Sequence, residues 1–376
     1  MVSAAELGIL ADDLTGACDA AAAFAPATGS VGIHVLLPRR GAADGDAGLA
    51  VFNMQSRLLD ARRSRRRATR AGRLLRDPRI LYVKTDSVLR GAVGAELEGL
   101  SRAFPGRRIV LVPAIPEMGK TTSGGRLFER GIPAHLTEYG RDPVTPILTN
   151  DVRAIIGATG RVELDVEDAE TALDIDRAVG RALEGGHVIL AGSVGLADAL
   201  ARVVRSQPGP APAAREGRRV VIVCGSGYPT ARGQLQRAAT AFGTNVISLG
   251  KGSAVSRLVR VCKGRELVLL QIETEPVHPA RRARWSLHRL FCQVGRLIRF
   301  CEPDGLGIIG GETAFRILRR LGVTRLSVDG RLEPGVAYGT IVDGALAGAG
   351  FSSKGGSVGG EDACVLMVER LRRRVA

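Results

Sequence analysis

At 376 residues the chain is long enough for two domains, each with its own core. Its composition, 45% hydrophobic but only 4% aromatic with 49 glycines, suits an α/β protein with many strand-to-helix turns and excludes a helical bundle. The net charge of +15 raises nucleic-acid binding, but its distribution argues against that partner. Arginines concentrate at 62–73, 281–299 and 370–374, in segments that read as helices, and no aromatics for base stacking interleave with the first or last cluster.

The first element is the apolar run Leu7–Leu10, which ends in Asp12, Asp13 and Gly16 before a helix-forming segment, Ala17 to Ala25. Strand, acidic turn and helix is how open α/β sheets place carboxylates at a strand's carboxyl end, where ligands bind. The two acids cannot both face the core. One is expected to cap the helix and the other to do chemistry. An aspartyl-phosphatase arrangement separates its two aspartates by one residue, so these adjacent acids would fall on opposite sides of the strand and do not fit it. The same acids interrupt the N-terminal apolar stretch, against a signal peptide. No run approaches the roughly 18 apolar residues of a membrane span. The six cysteines are scattered without a C-x-x-C pair, so reduced thiols in a cytoplasmic protein are expected, with no disulfide framework or zinc site.

Further strands are expected at Val31–Leu37, Leu49–Phe52, Ile80–Val83, Ile109–Val112 and Val188–Leu190, alternating with helical patterns as in parallel βαβ construction. After the strand at 80–83, Lys84-Thr-Asp-Ser-Val-Leu-Arg-Gly91 offers hydroxyls at Thr85 and Ser87, a carboxylate at Asp86 and a guanidinium at Arg90. Arg90 could grip a carboxylate bidentately, which a lysine could not. After the strand at 109–112 comes Pro113-Ala-Ile-Pro-Glu-Met-Gly-Lys-Thr-Thr122. Its Gly119-Lys120-Thr121 looks like the end of a P-loop, but Ala114 stands where glycine is required and Pro113 and Pro116 break the run of amides. A substrate loop carrying Lys120 fits better. Residues 113–150, rich in Pro, Gly and Thr, are expected to be irregular.

The segment 206–214 holds three prolines and a glycine and can continue neither helix nor central strand. It reads as a linker, giving domains at 1–205 and 218–376 joined through 206–217. Strands resume at Val220–Val223, Val246–Ser248, Leu267–Gln271, Leu306–Ile309 and Leu326–Val328. Two are followed by glycine turns, Cys224-Gly-Ser-Gly-Tyr-Pro-Thr230 and Gly310-Gly-Glu-Thr313, and a third glycine loop runs over 354–362. Glycines and hydroxyls at helix N-termini make anion sites, so three such turns in one domain suggest phosphate binding.

Taken together, these motifs resemble the four-carbon acid sugar kinase family, nearly end to end. The resemblance rests on Ala11-Asp-Asp-Leu-Thr-Gly16, Lys84 to Gly91, Pro113 to Gly119, Leu136-Thr-Glu138 with Arg141-Asp-Pro143, and Gly192-Ser-Val-Gly-Leu-Ala197. It continues through Gly225-Ser226, Gly310 to Thr313 and Gly359-Gly-Glu-Asp362. It implies two α/β domains with largely parallel sheets and an active site in the interdomain cleft. Asp12, with Asp13 positioning it or meeting magnesium through water, would be catalytic. Thr85, Asp86, Ser87, Arg90 and Lys120 would meet the sugar acid. Ser226, Gly310, Gly311, Thr313 and Gly356 would hold ATP, with Mg²⁺ offsetting its phosphate charge.

The sequence also departs from the family. Glu312 stands where Asp is usual, Cys224 and Gly355 replace serines, Val358 replaces Phe, and Lys120 sits where Arg is common; Glu312 and Gly355 still fall on the ATP side. The expected activity is ATP-dependent phosphorylation of a short acid such as threonate, erythronate or 3-oxo-tetronate. A kinase for another small polyol or hydroxy-amino acid, a silent nucleotide-binding regulator, and a homodimeric state all stay open.

Overall fold

The computed structural model of the chain describes residues 2–38, 49–142, 144–157, 163–205, 218–250, 264–273 and 281–372, without the side chains of 281–289. The chain divides into two compact units, Met1–Gly209 and Pro210–Ala376. The expected linker at 206–217 lies outside the described residues.

In chain order, the first unit contains β1 (Val2–Ser3), β2 (Leu7–Ala11), α1 (Leu14–Thr28), β3 (Val31–His34), β4 (Ala50–Asn53), α2 (Ala61–Gly72), β5 (Ile80–Lys84), α3 (Val93–Ala103) and β6 (Arg108–Val112). Then come β7 (Lys120–Ser123), β8 (Arg126–Glu129), β9 (Ile132–Pro133), α4 (Val152–Ile156), β10 (Leu164–Val166), α5 (Ala172–Glu184), β11 (Val188–Gly192), α6 (Val194–Val203) and β12 (Val204–Arg205). Its main sheet runs β10-β6-β11-β5-β2-β4-β3, and every pair in it is parallel.

Helices α1, α5 and α6 pack together, as do α2 and α3. The chain leaves β2 towards β3, then crosses back after β4 to form β5 on the other side of β2. That reversal opens a crevice at the carboxyl ends of β2 and β5, which is where ligands enter open α/β sheets. The central strands β2, β5 and β11 are buried throughout because helices cover both faces. Leu10, Leu81 and Val83 join Ala68, Val93, Leu97 and Leu100 in one core cluster, so Asp12, two residues beyond Leu10, continues towards the face carrying α2 and α3.

Residues 113–150 are more ordered than their composition suggests. Strands β7, β8 and β9 pair antiparallel as a separate three-stranded sheet. Gly124 and Gly125, at φ 56° and 69°, turn the chain between β7 and β8, and the Asp168 carboxylate accepts their N–H groups at 2.7 and 2.9 Å. Glycine lowered the apparent strand signal here because it was needed at left-handed turn positions.

The second unit contains β13 (Val220–Cys224), α7 (Pro229–Ala241), β14 (Val246–Leu249), β15 (Leu267–Ile272), a helix at Arg281–Cys301, β16 (Gly305–Ile309), a helix at Gly311–Arg320, β17 (Arg325–Glu333), β18 (Val336–Ile341), β19 (Gly350–Lys354) and a helix at Ala363–Arg372. Its strand order is β17-β18-β19-β16-β13-β15-β14. The last five are mutually parallel and β18 is antiparallel to both neighbours. Both β18 and β19 were absent from the sequence expectation. Gly339 and Gly350 depress their strand character, yet a Cβ at Gly339 would lie against the Ser327 carbonyl.

Close helix packing fixes α3, which bears on the crevice. A Cβ at Gly99 would stand 2.4 Å from the Arg65 carbonyl oxygen and 3.0 Å from the Ala68 Cβ, and the Thr69 hydroxyl donates to the Gly99 carbonyl at 2.9 Å. Gly99→Ala is expected to push α2 from α3 and cost about 1–3 kcal/mol, as overpacking does, despite alanine's better helix propensity. Urea unfolding of the two proteins checks this; equal or greater stability of the alanine variant would contradict it.

Candidate functional site

The β2–α1 junction separates its two acids by role. Asp13 is the N-cap of α1: its Oδ1 accepts the Gly16 N–H at 2.7 Å and its Oδ2 accepts the Thr15 hydroxyl at 2.8 Å. Asp12 is only 1% exposed, and its backbone N–H donates to the Lys84 carbonyl across the β2–β5 boundary at 3.1 Å.

Arg57, which the sequence did not single out, binds both acids. Its Nε and Nη2 each donate to Asp12 at 2.8 Å, and Nη1 donates to Asp13 at 2.8 Å. The backbone N–H groups of Ser56 and Arg57 both donate to the Asp12 carbonyl. Gln55, just before them, holds φ 48°, a costly conformation for a non-glycine residue and one that concentrates at functional turns. Burial lifts Asp12 above the usual carboxylate range, against the pull of Arg57 and with the push of Asp13.

On the other side of the crevice, the β5–α3 turn brings the expected polar residues together in an unexpected pairing. Asp86 accepts Arg90 Nη2 at 2.7 Å and Nε at 3.1 Å, and also the N–H groups of Val88 and Arg90. Arg90 Nη1 reaches Asp142 at 3.0 Å. The guanidinium fork expected to face a ligand is thus engaged by Asp86 of its own turn and by Asp142 from a distant one. Burial would raise Asp86, but Arg90 and Arg57 outweigh it and hold the carboxyl well below the usual range.

Lys120, the first residue of β7, is 7% exposed and donates to the Ser87 hydroxyl at 3.0 Å. The Tyr139 ring lies 5.0 Å from its ammonium and 5.4 Å from the Arg90 guanidinium. Burial lowers the Lys120 pKa, with Asp86 and Glu129 opposing. The Thr85 hydroxyl is buried without a hydrogen-bond partner. The antiparallel sheet and the turns after it therefore supply Lys120, Tyr139 and Asp142 to the crevice.

In the second unit, register alone gathers the three glycine turns. Strands β19, β16 and β13 are adjacent and parallel, with Lys354 beside Ile309 and Ile309 beside Cys224. Gly225 N–H donates to the Ile309 carbonyl at 3.1 Å and Gly310 N–H to the Lys354 carbonyl at 2.9 Å. Gly310, at φ 106°, precedes the helix Gly311–Arg320 without a side-chain cap, so the amides of that first turn are available to an anion.

A Cβ at Gly225 or at Gly356 would collide at 2.1 Å with the Thr313 or the Ser226 hydroxyl oxygen. These glycines therefore let hydroxyls and loops close together. Glu312 Oε1 accepts Arg316 Nε at 2.6 Å. Gly355 begins the loop after β19, its carbonyl accepting Lys354 Nζ at 2.7 Å. Lys354 is fully buried, and burial lowers its pKa. Among the described residues no cluster of three or more His, Cys, Asp or Glu could cage a metal ion, and no helix is long and apolar enough to cross a membrane.

Two family profiles match the chain, a sugar-binding N-terminal domain over residues 7–232 and a nucleotide-binding C-terminal domain over residues 221–364. The chain is 26% identical over 435 residues to a D-erythronate kinase of Heliobacterium modesticaldum, covering 98% of this chain and 97% of that one. It is also 26% identical over 421 residues to a D-threonate kinase of Bordetella bronchiseptica, with 98% of both chains covered. A solved Salmonella typhimurium structure shares the fold with a TM-score of 0.74 at 18% identity, covering 97% of this chain and 98% of that one.

The loop after β19 depends on a side chain the sequence did not flag. Gln234, on α7 and 3% exposed, donates through Nε2 to the carbonyls of Val358, Gly359 and Gly360 at 3.3, 3.0 and 2.7 Å. Gln234→Ala should cost about 1–2 kcal/mol, the scale of a lost buried hydrogen-bonding group. It should also speed amide exchange across residues 355–362 while leaving the β2–α1 junction unchanged. Exchange followed by mass spectrometry checks this; unaltered protection of that loop would contradict it.

Proposed function

The chain belongs to the four-carbon acid sugar kinase family, phosphotransferases that act on a hydroxyl group of a sugar acid, and from that premise we propose that it transfers the γ-phosphoryl group of ATP to a hydroxyl of a four-carbon sugar acid such as erythronate, threonate or 3-oxo-tetronate. The observation that carries the proposal is the crevice between β2 and β5. There a buried carboxylate, Asp12, stands at a strand end with hydroxyls and the Lys120 ammonium gathered at the same edge. Such a mixture suits a small acid carrying several hydroxyls and does not suit an apolar ligand.

Phosphoryl transfer needs in-line positioning, charge neutralisation and a group to take or orient the acceptor proton. Asp12 is assigned that last task. Asp13 and Arg57 hold it in place. The substrate carboxylate is assigned to Lys120, because Arg90 is engaged with Asp86 and Asp142 and instead fixes the turn carrying Thr85 and Ser87. On the nucleotide side, the amides of Gly310, Gly311, Glu312 and Thr313, the Ser226 and Thr313 hydroxyls and the loop at Gly355 and Gly356 form a cradle suited to phosphates. Mg²⁺ commonly arrives on the nucleotide's own phosphates with only one or two protein carboxylates, so the lack of a three-ligand cluster among the described residues does not conflict with it. When bound it would offset phosphate charge.

A coupled ADP-release assay across four- and five-carbon sugar acids tests the proposal directly. Turnover with four-carbon acids is expected, whereas ATP binding without turnover would favour a silent regulator. Asp12→Asn keeps the shape and removes the basicity, and should lower kcat by about 10²-fold or more, as loss of a general base does, with ATP affinity little changed in calorimetry. Lys120→Ala should raise KM for the acid by about 10-fold or more, the cost of a lost charge-assisted bond. Lys120→Arg should retain most of the affinity. An alanine variant with unchanged KM would move the carboxylate contact elsewhere.

A further inference from the structure

Glu96 lies in the first turn of α3 and is 1% exposed. The charged groups that act on it are Asp12 and Asp13 beyond β2, which push its pKa up, and Arg57 beyond β4, which together with the Ser56 hydroxyl pulls it down. The buried residues of the helices packed on α3, Ser64 and Ala68 of α2 and Val152 and Ile156 of α4, are uncharged. Glu96 Oε2 and Ser56 Oγ are both buried without a well-formed hydrogen bond. The Ser56 hydroxyl can donate to an ionised carboxylate or accept from a neutral one, so the charge around Glu96, and not this pair alone, decides where the proton sits.

The cations of the crevice already have acids beside them. Arg57 holds Asp12 and Asp13, Arg90 holds Asp86 and Asp142, and Lys120 has Asp86 and Glu129 as neighbours. An ionised Glu96 would be a further buried carboxylate competing for the same cations, a costly state for such a group. Arg57 already spends three of its five N–H groups on Asp12 and Asp13.

We propose that Glu96 is a positioning residue that carries its proton at neutral pH, its neutral carboxyl donating to Ser56 and seating the Ser56–Arg57 segment against Asp12. Ionised, it would compete with Asp12 for Arg57 and loosen the grip that orients the catalytic carboxylate. The electrostatics agree: burial first, then the neighbouring Asp12, push Glu96 up to about 8. A carboxyl kept neutral so that it can donate has precedent in enzyme sites. The kinetic consequence rests on the kinase function proposed above, whereas the protonation does not.

Glu96→Gln mimics the protonated acid and separates the two. A carboxyl whose folded pKa is raised stabilises the protein fully below about 4.5, and that contribution is lost as pH rises through about 8. The wild type should therefore lose melting temperature relative to E96Q between about pH 5 and 9. A difference constant across that range would overturn the proposal, whatever the activity. If E96Q does not fold, carbon-13 NMR of glutamate carboxyls in the unmodified protein decides instead. One resonance titrating near pH 8 is expected, and none titrating above pH 6 would overturn it. In the kinetic arm, wild-type kcat should fall through about pH 8, and E96Q should keep turnover within a few-fold at pH 7 while losing that alkaline fall. A fall of the same midpoint in both proteins would refute the positioning role, and turnover by neither would fault the kinase function alone.

Discussion

The bidentate hold of Arg57 on Asp12 is the interaction on which the first unit's crevice depends. Two parallel N–H···O bonds at 2.8 Å, with a third to Asp13, tie the loop after β4 to the end of β2. Without that guanidinium two adjacent carboxylates would share one buried strand end, a repulsion that would leave one of them protonated. With it their repulsion is offset and each can be aimed. The backbone repeats the tie, because the Asp12 carbonyl accepts from both Ser56 and Arg57. Breaking such a pair by removing one partner typically costs about 3–5 kcal/mol, which holds this geometry while the fold persists.

The second unit reaches a comparable result almost without charge. Its turns converge because β13, β16 and β19 are parallel neighbours in register, so their carboxyl ends share one edge. What they need there is room, and glycine supplies it. Ser226 and Thr313 occupy volumes that a Cβ at Gly356 or Gly225 would fill. The departures from the family at Gly355 and Val358 belong to the same packing. Val358 lies where a Cβ on Gly355 or Gly335 would touch it, so the smaller residues at 355 and 358 fit one another.

Much of this was legible in the sequence, because buried parallel strands announce themselves as short apolar runs. The central strands of both units and the acidic turn at Asp12 could be read that way, since Val, Ile and Leu dominate them. Strands β18 and β19 could not, because residues such as Gly339, Ser352 and Ser353 give no hydrophobic run. Lys120 was visible from its loop and Asp142 from the motif Arg141-Asp-Pro143, but their meeting with Arg90 and Tyr139 was not, since they arrive through an antiparallel sheet that composition disguised as irregular chain. Arg57, Glu96 and Gln234 share a different cause of invisibility. Each is a polar residue whose importance comes from burial against distant segments, and a single sequence shows neither. Only for Arg57 was there a local signal, its place just beyond the carboxyl end of an expected strand.

The adjacency of Asp12 and Asp13 finally has a physical explanation. Acids two apart on a strand would point the same way and could serve as a matched catalytic pair. Acids next to each other are forced apart by the pleat. Here the chain uses that divergence at the point where strand becomes helix: the second acid turns to the helix N-terminus, where negative charge is favourable and orphan N–H groups need an acceptor. The first continues along the direction set by Leu10, towards α3 and its buried Glu96. Arg57 then reaches across both directions at once, which a single-point ammonium on a lysine could not do. One strand end thereby holds a capping carboxylate and a second, buried one that points away from the helix N-terminus.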